Sequence, residues 1–91
     1  MKIKFRGVEY TVIDVKKDAL GKDERGFCYS PKNKKPRIFI KKGLRKREDL
    51  YVRLHEGLHA CLWDLDEEAV VEIAQDLEFL LTKSGYSRKR K

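Results

Sequence analysis

His55 and His59 are the only two histidines in a chain of 91 residues, and both lie in RLHEGLHACLWDLDEE, residues 53–68. On a helix, side chains four residues apart project from adjacent turns of one face. Two imidazoles so placed can converge on one metal ion, with bonds of about 2.0–2.1 Å to zinc. Glu56, next to the first histidine, completes the His-Glu-x-x-His pattern of zinc hydrolases, in which the glutamate is the general base. The competing reading of the same residues is two surface histidines on an ordinary amphipathic helix.

A catalytic zinc takes three protein ligands and keeps one position open. With no third histidine, the remaining donor must be a carboxylate or a thiolate. Cys61 follows His59 by two residues, about 200° around the helix, and so faces away. Cys28 sits in an apolar stretch where a thiol serves the core, yet it stays a candidate ligand. Among the acids, Glu67 shares the margin of an apolar stripe with Val70, Ala74 and Leu81. Glu68 and Glu72 fall on the opposite, solvated side. Glu67 is therefore the best-placed third ligand, with Glu68 as the alternative. The competing reading of Glu67 is a first-turn acid favoured by the helix dipole.

These residues need a frame to position them. KIKF and VEYTVIDV read as strands joined by a hairpin turn at Arg6-Gly7. KKDALGKDERG is a polar loop. FCYS and RIFIK flank the turn-rich PKNKKP and predict a second hairpin, with Ile38 and Ile40 on one face. A first helix is expected over residues 47–63, with Leu50, Leu54, Leu58, Cys61 and Leu62 as its apolar stripe. A second is expected over 67–83, with Val70, Ile73, Ala74, Leu77, Leu80 and Leu81 facing the core. Either Asp64 or Asp66 can cap it, and Ser84-Gly85 stops it. The order β-β-β-β-α-α predicts an α+β fold. In it, a small antiparallel sheet of about four strands precedes the site helix and a second, C-terminal helix. Residues 1–86 form one domain, and 87–91 are expected to be a disordered basic tail.

Composition narrows the function classes. The chain is 41% charged and 41% hydrophobic, which argues against wholesale disorder but allows only a small core. No apolar run approaches the ~20 residues of a membrane span, and MKIKFRGVEY lacks the apolar block of a signal peptide. A cytoplasmic protein with two free thiols, Cys28 and Cys61, is expected. The net charge of +7 is uneven: residues 25–47 hold ten Lys or Arg and no acid, whereas 48–78 hold ten acids and one base, Arg53. Such asymmetry marks some nucleic-acid binders. The plainer reading is a solvated basic hairpin and tail.

RIFIKKGLRKREDLYVRLHEGLHA resembles the strand, loop and active-site helix of zincin metallopeptidases. Downstream, Glu67, Val70, Ile73, Ala74 and Leu77 in EEAVVEIAQDL are similar to the Glu-x-x-Ala-x-x-Phe-Ala pattern of the ImmA/IrrE-type metallopeptidases. Val70 and Ile73 stand where that pattern has Ala and Phe. The resemblance covers roughly residues 36–86 and extends to small phage-encoded proteins of similar layout. It implies a minimal zincin-like domain that binds one Zn2+ through His55, His59 and Glu67. It further implies hydrolysis of peptide bonds in a peptide or protein substrate, with Glu56 as general base, in the host cytoplasm if the chain is phage-encoded. By the same resemblance, RIFIK is the edge strand that holds extended substrate, and the basic run 32–47 borders the cleft. Tyr51 and Tyr86 are candidates for stabilising the oxyanion. Two alternatives remain: a zincin-fold module that binds peptides without cleaving them, and a basic regulator that binds nucleic acid through its hairpin and tail.

Overall fold

The computed structural model describes residues 1–86 of the chain, so the expected tail at 87–91 lies outside the described residues. Strand β1 (Lys2–Phe5) and strand β2 (Val8–Val15) form an antiparallel hairpin. Arg6 and Gly7 both take positive φ, 51° and 84°. That combination closes a two-residue loop whose twist matches the flanking strands. After a single 3-10 turn at Lys17–Ala19, strand β3 (Gly26–Cys28) pairs antiparallel with strand β4 (Arg37–Lys41). Helix α1 (Lys46–Cys61) and helix α2 (Glu67–Lys83) complete the α+β fold. Among the described residues, no helix is long and apolar enough to cross a membrane.

The sheet differs from expectation in one pairing. Its order is β1-β2-β4-β3, and β2 runs parallel to β4. The sheet is therefore mixed rather than antiparallel, and RIFIK is an interior strand rather than an edge. The interior place flanks β4 with a strand on each side, and Ile38 and Ile40 are 2% and 1% exposed there. By contrast, β3 is three residues long and begins with glycine, so it takes the edge.

Both helices lie on one side of the sheet. The core beneath α1 joins Tyr10, Cys28, Ile38 and Ile40 to Val52 and Ala60, with Phe5, Val8 and Val12 packed around them. Tyr10 is fully buried, and its hydroxyl donates to the Tyr29 carbonyl at 3.0 Å, which satisfies the phenol. Helix α1 packs on the sheet through Val52, Glu56 and Ala60 and on α2 through another side. Helix α2 packs mainly on α1, through the fully buried Val70 and Ala74. Of the expected core residues, Ile73 and Leu80 are therefore 36% and 59% exposed, and Leu62 is 40% exposed.

Ion pairs fix the angle of α1. Arg53 bonds Asp14 of β2 at 2.5 Å and Asp49 at 3.0 Å. Arg47 forms a two-pronged contact with Glu78 of α2 at 3.0 and 3.1 Å. Arg25 reaches Glu48 at 2.6 Å. Both arginines of the last two pairs are about half-exposed, so these pairs set orientation more than stability.

Candidate metal centre

Helix α1 carries His55 and His59 on consecutive turns, and their Nε2 atoms meet at 3.2 Å. The chain then reverses through residues 62–66. Asp66 accepts a hydrogen bond from the Ala69 amide at 2.8 Å and caps α2. The cap starts α2 where Glu67, its first residue, faces back to α1. One Glu67 carboxylate oxygen lies 2.8 Å from His55 Nε2, and the other lies 2.8 Å from His59 Nε2. His55, His59 and Glu67 form a group whose ligand atoms all lie within 4.8 Å of one another. Glu68 has no part in that group, and neither thiol joins it.

The donor set fits a metal ion. Two imidazole nitrogens and one carboxylate are the ligand types of a catalytic zinc site. Donors around a tetrahedral zinc sit about 3.3 Å apart, given bonds near 2.0–2.1 Å. The observed spacings of 2.8 and 3.2 Å need widen by only a few tenths of an ångström. Both histidines are less than one-fifth exposed, whereas Glu67 remains open to solvent. Burial holds the His55 pKa below its usual value, partly offset by Glu67. The ring is thereby kept in the neutral form that ligation requires. The tautomer with a free Nε2 lone pair carries its hydrogen on Nδ1. Tyr51, one turn earlier, places its hydroxyl 3.2 Å from that nitrogen and can accept the bond.

Glu56 lies in the same cleft, only 8% exposed. Burial pushes its carboxyl up to about 7, with further contributions from Glu67 and Glu24. Room for it depends on Gly26. A Cβ there would lie 2.8 Å from Val52 Cγ1 and 3.0 Å from both Cγ and Oε2 of Glu56. The absent side chain lets β3 press directly on the carboxylate.

The cleft is lined by β3 and its approach (Glu24, Gly26, Phe27 and Cys28) and by His55, Glu56, His59, Trp63 and Glu67. None of the basic residues 32–47 lines it. Tyr86 lines a separate groove with Lys46 and Arg47, at the opposite end of the helix pair. The Tyr51 hydroxyl is engaged with His55. Gly26, Trp63 and Glu24 were not evident as site residues from sequence. Only Gly26 carried a signal, as a glycine opening an apolar strand. The chain matches no known protein-family profile, no curated protein and no solved structure.

Proposed function

We propose that the chain is a minimal zinc-dependent peptidase, held in the cytoplasm with Cys28 and Cys61 as thiols. The observation that carries this reading is the convergence of His55, His59 and Glu67 from two helices beside a buried Glu56 whose carboxyl titrates near neutrality. Bound zinc would polarise a scissile carbonyl and acidify a coordinated water. Glu56, with a pKa of about 7, suits the shuttling of a proton from the attacking water to the leaving amine. Tyr51 orients His55. The outer edge of β3, at Gly26–Cys28, borders the cleft and has no neighbouring strand in the sheet. An extended peptide can pair with that edge, main chain to main chain.

One observation favours a second reading, peptide binding without cleavage. Among the described residues, no lysine, arginine or hydroxyl side chain lines the cleft to stabilise an oxyanion. The experiment compares zinc-loaded wild type and Glu56→Gln on a mixture of unfolded proteins at neutral pH. A loss of at least ~100-fold in the variant, with zinc retained, is expected of a general base. Equal cleavage by both would defeat the role given to Glu56. No cleavage by either, with zinc bound in both, would favour the non-catalytic binder.

A further inference from the structure

The side of the sheet turned away from both helices is a surface that the metal site does not use. Strand alternation and register place Lys2 and Lys4 of β1, Thr11 of β2, and Arg37 and Lys41 of β4 on this side. Phe27 of β3 pairs directly with Phe39 of β4, so the two rings share this side as well. None of these residues is buried, and Phe27 is 39% exposed. Tyr29, just beyond β3, packs edge-on between the two phenylalanines, at 5.4 Å from Phe27 and 5.7 Å from Phe39.

Charge on the face is one-sided. Against Lys2, Lys4, Arg37 and Lys41 stands a single acid, Glu9, which lies 4.0 Å from Lys2. Arg37 lies over the Tyr29 ring at 4.7 Å and the Phe39 ring at 5.6 Å. It has no carboxylate partner among the described residues, and its Nε is shielded from solvent without a hydrogen-bond acceptor. Lys32, Lys34 and Lys35, in the connection between β3 and β4, add positive charge at the Arg37 end.

A sheet face bearing the exposed Phe27 ring and the half-buried Phe39 ring among cations matches one chemistry well. Unpaired bases stack on aromatic faces, while Lys and Arg follow the phosphates. A duplex hides its bases and gives the rings nothing to stack on. Aromatic residues and arginine are enriched in protein interfaces but lysine is depleted, so Lys2, Lys4 and Lys41 favour nucleic acid over a protein partner. We propose that this open face, from Lys2 and Lys4 across Arg37 to Phe27, binds single-stranded nucleic acid, with Phe27 and Phe39 stacking bases and the cations contacting phosphates. The assignment does not depend on the metal reading, since the metal group lies on the helix side.

The test is fluorescence anisotropy with a labelled short oligothymidine, set against a duplex of equal length, over a range of salt concentrations. Four face cations predict a log–log salt slope of roughly −3 for the single strand, at about 0.7 per phosphate contact. The single strand should bind more tightly than the duplex. Phe27→Ala should weaken single-strand binding by about fivefold or more, the low end of one base–ring stack, with the protein still folded by circular dichroism at the assay temperature. Arg37→Ala should reduce the slope by about 0.7. A control variant carries serine at Arg88, Lys89, Arg90 and Lys91 and should keep the preference for single strands. Four results would overturn the assignment. One is no binding at low salt. Another is equal binding of both nucleic acids with Phe27→Ala unaffected, which is general basicity. A third is binding abolished in the serine variant but untouched by Phe27→Ala and Arg37→Ala. The last is Phe27→Ala shifting self-association in sedimentation while leaving nucleic-acid binding unchanged, which would make the face a protein interface.

Discussion

Replacing Glu56 by glutamine probes the site without touching a proposed ligand. In the folded chain its carboxyl is pushed up to about 7, from an ordinary value of 4.5, chiefly by burial. The folded state therefore holds the proton more tightly than the unfolded state. The stability this contributes is fully present below pH 4.5, is lost as pH rises from there to about 7, and is constant beyond. At ~1.36 kcal/mol for each pKa unit, the full loss is about 3 kcal/mol. Glutamine keeps the shape and has no such proton to lose. The stability of Glu56→Gln relative to wild type should thus grow by roughly 2–3 kcal/mol between pH 5 and pH 8. His55 acts in the opposite sense. Burial lowers its pKa, so it costs stability as pH falls, but it is common to both proteins and largely cancels in the difference. The assay is urea unfolding of chelator-treated protein, followed by Trp63 fluorescence, at several pH values. A wild-type-to-variant difference that does not vary with pH would refute the argument, because Glu56 would then not titrate in the window its burial requires. Saturating zinc should shrink the gap, since a nearby cation favours the ionised carboxylate.

Three further outcomes are expected. Purified protein should hold about one zinc per chain, and chelation should lower its melting temperature, because the ligands join α1 to α2; stoichiometric zinc in a His55→Ala, His59→Ala double variant would exclude this site. Tyr51→Phe should weaken zinc binding by about 10–100-fold while leaving metal-free unfolding little changed, and unaltered affinity in a zinc competition titration would remove Tyr51 from its role. Gly26→Ala should destabilise the metal-free protein by about 1–3 kcal/mol through overpacking against Val52 and Glu56, and an unchanged urea midpoint would show that β3 does not press on the carboxylate.

The proximity of His55, His59 and Glu67 was legible because it depends on local geometry. The convergence of His55 and His59 follows from one helix. Glu67 follows from a short connection, which leaves α2 no choice but to fold back at once. The bounds of α2 follow from Asp66 at one end and Ser84-Gly85 at the other. Those signals act within a turn of the residues they govern. The contact between Tyr51 and His55 has the same four-residue spacing and was equally accessible, but a tyrosine near a metal motif suggests an oxyanion role as readily as an orienting one. The face of α1 was less legible. The leucine periodicity predicts one stripe, yet α1 is covered on two sides, by the sheet and by α2. Its most buried positions are Val52, Glu56 and Ala60, while Leu62 at the end of the stripe is 40% exposed. A buried glutamate contradicts the hydropathy pattern, and such local contradictions tend to fall at functional positions.

Strand order was the part that local signals could not supply, and it bears on both proposals. Nothing in RIFIK distinguishes an antiparallel edge from an interior strand parallel to its neighbour, because the alternation of Ile38 and Ile40 with polar or exposed positions is the same in each. The insertion of β4 between β2 and β3 decides the matter at long range. With β4 inside, the short β3 becomes the rim of the metal cleft. The Arg37 guanidinium and the Phe39 ring are carried to the middle of the opposite face instead of to its margin. The basic run expected to border the cleft thus lies largely away from it. One topological choice separates the side that carries His55, His59 and Glu67 from a basic, aromatic one on a sheet only four strands wide. Variants at Arg37 should therefore leave zinc affinity unchanged, and variants at His55 and Glu67 should leave nucleic-acid binding unchanged, because Arg37 does not line the cleft and neither His55 nor Glu67 lies on the open face.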